Sequence, residues 1–131
     1  MVRFTALLVT LLLAMGGGAQ AKPTSFVIKS VHVDQAGIWR EKSDGDEAKE
    51  TCARFHLGDK AATRWFAKAK EVTEHAWREE LDWTQCFATG TLTTTDGKTY
   101  SWDLDRSGRG QVKISDTVSA YLAGPELPFA Q

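Results

Sequence analysis

Six consecutive residues, Asp103-Leu104-Asp105-Arg106-Ser107-Gly108, put side-chain oxygens at alternate positions and close on a glycine. That is the opening half of a calcium loop, in which carboxylates and a sharp turn wrap one cation. The second half departs from it. Ile114 stands where a bidentate glutamate is needed, and Arg106 and Arg109 bring positive charge to the same place. The stretch therefore reads as a polar strand face running into a glycine-rich hairpin, with no metal expected. The acidic run Asp44-Gly45-Asp46-Glu47 reads as a solvated loop for the same want of further ligands.

Catalytic chemistry has as little footing. No G-x-S-x-G elbow is present to expose a serine nucleophile. The three histidines, His32, His56 and His75, form no H-x-x-x-H pair for zinc. The chain has 17 acids, and spacing alone selects no pair of them for glycoside hydrolysis. No catalytic residue and no cofactor is expected.

Binding remains. Arginine is enriched at interface hot spots, and a glycine-rich hairpin tip can enter a concave site. The turn Arg106, Ser107, Gly108, Arg109 is thus the expected contact with another protein, the competing reading being a plain hairpin turn. On this view Arg109→Ala weakens the partner and leaves folding intact. An inhibitor or immunity-type protein acting on a secreted or cell-wall hydrolase fits the pattern. The alternatives are a small periplasmic hydrolase and a structural envelope-associated protein.

The rest of the chain says where such a protein works. Arg3, an apolar run from Phe4 to Met15, three glycines and Ala19-Gln20-Ala21 make up an export signal with its cleavage site over residues 1–21. The apolar run is about 12 residues, short of the roughly 18 needed to span a bilayer. No membrane span is expected after cleavage, and the location is periplasmic or secreted. Residues 22–131 then form one domain. Losing Arg3 takes the formal charge from −1 to −2. That balance argues against nucleic acid, whose binders carry a basic surplus or stripe. The domain keeps two cysteines, Cys52 and Cys86, which an oxidising compartment would join. The competing reading is two unpaired buried thiols.

Around these residues the apolar period changes twice. Ser25–Val33 is β-branched and reads as a strand, with Ile38–Arg40 as a short second one after the Ala36-Gly37 break. Thr51–Leu57 alternates and reads as a third. From Lys60 the apolar residues Ala62, Trp65, Phe66, Ala69 and Val72 fall at steps of three and four, which is helical. Asp59 is the expected N-cap. Thr73 either interrupts this helix and caps a shorter one, or lies within one helix reaching Leu81. Trp83–Thr94 and Thr99–Asp105 return to period two across Asp96-Gly97, a two-residue hairpin signal with positive φ at both positions. Val112 and Ile114 mark another strand, and Thr117–Leu122 pairs once more or forms a helical turn. The expectation is α+β: an antiparallel sheet of about five strands, one helical segment packed on one face, and one disulfide.

The segment from Thr51 to Gly110 resembles a group of small exported bacterial proteins of uncharacterised function. The residues that carry this are Cys52, Phe55, Leu57, Trp65-Phe66, Ala69-Lys70, Asp82-Trp83-Thr84, Cys86, Gly90, Asp96-Gly97, Trp102 and Ser107-Gly108-x-Gly110. The resemblance implies export and a bridge between the cysteines, and no chemistry. The tail Gly124–Phe129 departs from that pattern.

Overall fold

The two strands read at 25–33 and 38–40 merge, over their described residues, into one strand from Ile28 to Trp39. The structure, a computed structural model, describes residues 27–41 and 48–129. The export segment and the acidic run Asp44–Glu47 lie outside these residues. Strand β1 (Ile28–Trp39) pairs antiparallel with β3 (Cys86–Thr94). The Ala36-Gly37 break is absorbed inside β1, where the register shifts between Gln35 and Ile38. Such an irregularity bends a strand without ending it.

From β3 the chain meanders through β4 (Thr99–Asp105), β5 (Arg109–Lys113) and β6 (Ser119–Ala123). A short strand β2 (Lys70–Val72) adds to β6. The six described strands follow the order β1-β3-β4-β5-β6-β2, all antiparallel, so β1 and β2 are the edges. The architecture is α+β with three short described helices and one disulfide.

Three local expectations are corrected, and the open choice between one helix and two after Lys60 is decided for two. Thr51–Leu57 is not a strand: α1 (Lys49–Cys52) ends there, and Phe55 N–H closes a turn on Cys52 O at 2.9 Å. Phe55 and Leu57 are both buried, so the alternation was real. It serves a stretch that plugs the core without joining the sheet. The helical pattern from Lys60 divides into α2 (Asp59–Lys68) and α3 (Glu74–Glu79), with β2 between them. Thr73 caps α3, its Oγ1 accepting from Ala76 N–H at 3.1 Å. Gly58, not Asp59, sits at the α2 N-cap. At Asp96-Gly97 only the glycine has positive φ, at 85°. Thr94 N–H donates to Lys98 O at 2.9 Å and Gly97 N–H to Thr94 O at 3.0 Å. That is a three-residue loop with its glycine in the left-handed position.

Alternation along the strands separates two faces. Ala88, Leu92, Trp102, Leu104, Val112, Ala120 and Leu122 are buried on the inner face, and α2 lays Ala62, Trp65 and Phe66 against them. Trp65 stands edge-on to Phe66 with centroids 5.1 Å apart, and Phe66 edge-on to Trp102 at 5.4 Å. Trp65 fits because its neighbours have no side chain. A Cβ on Gly110 would lie 2.7 Å from Trp65 Cη2, and one on Gly124 2.6 Å from Cε2. The indole N–H donates to Pro125 O at 2.8 Å, which satisfies a buried donor.

Strand β2 then carries the chain around the sheet edge. Trp77 of α3 lies on the other side, 5.3 Å from the ring of Tyr121. The expected single helical segment on one face is therefore two helices on opposite faces. The Cys52–Cys86 bridge is present, with Cα atoms 4.8 Å apart and both residues fully buried. It fastens the end of α1 to the first residue of β3. Among the described residues, no helix is long and apolar enough to cross a membrane.

Candidate functional site

The outer face of the sheet is built from rows of residues that alternate with the core. One row runs Phe87–Asp105–Arg109–Ala123 across β3, β4, β5 and β6, and the next runs Thr89–Asp103–Gln111–Tyr121. Asp105 is fully buried although it belongs to this face. Its carboxylate accepts from Thr84 N–H at 3.0 Å, Ser107 N–H at 2.8 Å and Arg109 Nη2 at 3.3 Å. The hydroxyls of Thr84 and Ser107 both lie 2.9 Å from Oδ1. Charge-assisted bonds of this kind compensate a desolvated carboxylate.

The turn Arg106, Ser107, Gly108, Arg109 is brought together but is not a projecting tip. Gly108 has φ of 103°, and a Cβ there would meet Gly124 O at 2.3 Å. The segment Gly124–Phe129 wraps the turn: Gly124 N–H donates to Gly108 O at 2.9 Å and Leu127 N–H to Arg106 O at 2.8 Å. Arg106 lies 4.1 Å over the Phe129 ring and donates to Glu126 Oε1 at 3.1 Å. Arg109 is only 5 % exposed, with its guanidinium 4.3 Å over the Trp77 ring and Nη1 donating to Trp77 O at 3.2 Å. The calcium-like spacing of Asp103, Asp105 and Ser107 is thus spent on protein partners.

Beside Arg109 the outer face dips into a concavity of about 200 Å³ lined by Arg40, Trp77, Arg78, Phe87, Asp103, Arg109 and Gln111. Arg40 stacks 4.2 Å over Phe87 and donates to Asp103 Oδ1 at 3.1 Å. Arg78 donates to Glu74 Oε1 at 2.9 Å, and that bond raises its pKa above the ordinary guanidinium value. Gln111 Nε2 donates to Ser119 Oγ at 3.0 Å. Arg109 Nε and Trp77 Nε1 are buried without a hydrogen-bond partner among the described residues. A shallower dip of about 120 Å³ continues over Ser101 and Lys113, sharing Asp103 and Gln111. Three guanidiniums, each bonded to a carboxylate of the chain, and two aromatic rings make an arginine-rich, aromatic basin.

Of its residues, sequence reasoning singled out only Arg109 for binding. Trp77 falls on the helical apolar spacing with Ala76 and Leu81, which is a core signal, and Arg78 falls off it, which is the signal of a solvated position. The one usable signal was the polar face shared by Asp103 and Asp105. It pointed to the correct face but not to what α3 lays beside it.

The histidines lie elsewhere. His32 Nδ1 is 3.3 Å from Asp59 Oδ2, and Nε2 is 3.3 Å from Asp34 Oδ1. Val33 N–H donates to Asp59 Oδ1 at 2.8 Å. That bond first, and His32 second, lower the Asp59 pKa below 3.8. All three side chains are more than half exposed, so the cluster links β1 to the start of α2 at the surface. His56 and His75 are exposed. Among the described residues, no group of three or more His, Cys, Asp or Glu could hold a metal ion.

No family model, curated protein or solved structure matches the chain.

Proposed function

We propose that the chain is an exported, non-catalytic domain that binds another protein through the outer face of its sheet. One observation carries this reading: Arg40, Arg78 and Arg109 converge with Trp77 and Phe87 on one solvent-facing concavity. Arginine and tryptophan are the side chains most enriched where binding energy concentrates. Within the turn expected to make contact, Arg109 supplies the floor of the basin, and Arg106, Ser107 and Gly108 hold that floor in place. The bridge between Cys52 and Cys86 and the export-type segment at residues 1–21 support a working place in the periplasm or outside the cell. A secreted or cell-wall hydrolase is the proposed partner class, since the export-type segment at residues 1–21 supports the same compartment for both.

The test is occlusion of the basin. Immobilised protein retains the partner from an envelope fraction, and Gln111→Trp, which fills the basin from a half-buried position on the outer face, releases it at unchanged melting temperature. Equal retention by the variant refutes the face. Hydrolysis of cell-wall polymer by the purified protein refutes the non-catalytic reading.

A further inference from the structure

A second concavity, on the other side of the molecule, has the opposite lining. Val27 just before β1, Ile28 at its start, Phe66 and Ala67 of α2, Ala69 and Leu122 line an apolar groove of about 450 Å³. The volume falls in the range of small-molecule sites. The groove exists because the two edge strands never meet. β1 and β2 stand at opposite ends of the strand order, yet Ile28 of β1 and Glu71 of β2 line the same groove, with α2 between them. Val27 at its lip is 66 % exposed, one of two large hydrophobic residues left in solvent among those described.

Beside the groove the exposed side of α2 is basic. Lys60, Arg64 and Lys68 recur every four residues, and all three are exposed. Like charges at that spacing on a helix repel one another. Lys29 lines the groove itself. None of these four cations has an ion-pair partner among the described residues. This concentration occurs in a chain whose net charge is −1. Thr63 and Ala67, which line the groove, lie on the same exposed arc of α2 as the basic residues.

We infer that this groove binds a single-chain anionic amphiphile, a long-chain fatty acid. The acyl chain lies along Phe66 and Leu122, and the carboxylate emerges towards Lys29 and the basic side of α2. Long lysine and arginine side chains reach an anionic head while their methylenes cover the chain. The site is independent of the outer basin, and either can fail without the other.

Titration of the exported chain with myristate, followed by displacement of a fluorescent fatty acid, tests this. Saturable binding at one site is expected, weakening as salt rises. Thr63→Trp, which fills the mouth from an exposed helix position, should lower affinity at least tenfold. The variant Lys29→Gln with Arg64→Gln should lower it several-fold for myristate and leave myristyl alcohol unaffected. Absence of myristate binding by the parent protein overturns the inference. So does unchanged affinity in Thr63→Trp with intact melting. Should Thr63→Trp fail to fold, unchanged affinity in the Lys29 and Arg64 variant overturns the carboxylate polarity by itself. Binding to phosphatidylglycerol vesicles without binding to free myristate would make this a membrane-docking face and overturn the single-chain assignment.

Discussion

Asp105 and Arg109 pair directly across the β4–β5 register and meet at 3.3 Å, with side chains 0 % and 5 % exposed. An ion pair so enclosed is stable only when most of its remaining bonds are made, and here Thr84, Ser107 and the Trp77 carbonyl make all but that of Arg109 Nε. Removing one member strands the other in a dry site, which costs about 3–5 kcal/mol.

Arg109→Ala should therefore destabilise the fold by about 3–5 kcal/mol, measured by urea unfolding. This revises what the hairpin motif alone implies, a variant that folds normally. Asp105→Asn should cost less than Asp105→Ala, because an amide oxygen still accepts from Thr84 and Ser107.

Much of the fold was legible, and the missing part has a physical pattern. Periodicity located the meander, because inward residues of β3 to β6 line up in buried rows, Ala88–Leu104–Gly110–Leu122 and Gly90–Trp102–Val112–Ala120. It also located α2, whose Trp65 and Phe66 face the core. It failed at Thr51–Leu57, where alternation reflects two plugging side chains, and at 38–40, where Gly37 bends a strand without ending it. The site was harder to read. The polar face of β4 was visible, but a binding turn at Arg106–Arg109 was inferred without knowing that Gly124–Phe129 covers it. Arg40, Trp77 and Phe87 come from three separate elements, and no local pattern relates them.

Gly110→Ala should destabilise by about 1–3 kcal/mol, since the new methyl must displace an indole held on both sides. Trp65 has no room to retreat, because it also lies against Gly124 and is bonded to Pro125 O. The check is the denaturation midpoint, with Gly97→Ala as a comparison: that site is open but has φ of 85°, so it reads backbone strain without crowding.

Replacing Cys52 and Cys86 by serine should cost about 3.5–4 kcal/mol, as chain entropy predicts for a loop of 34 residues. The comparison is unfolding of oxidised and reduced protein at equal denaturant. Reduction of the parent chain should reproduce most of the loss.

Stability should also change in acid through Asp59. Its folded pKa lies below 3.8, so the stabilisation it provides is present above that value. It is lost as pH falls through the folded pKa, because the protonated carboxyl accepts more weakly from Val33 N–H than the carboxylate does. Asp59→Asn should melt below the parent near neutrality and converge with it at the acid end, read from melting temperatures between about pH 2 and 6.

The central claim is that the basin on the outer face meets a protein partner. Site-specific photo-crosslinking tests it most directly. A benzophenone side chain is placed at Gln111 in the basin, and separately at Lys98 on the exposed β3–β4 turn, in the producing cells. The account predicts a discrete protein adduct from position 111 and none from position 98. An adduct from position 98 alone, or none from 111 or its neighbour Ser101, would contradict it.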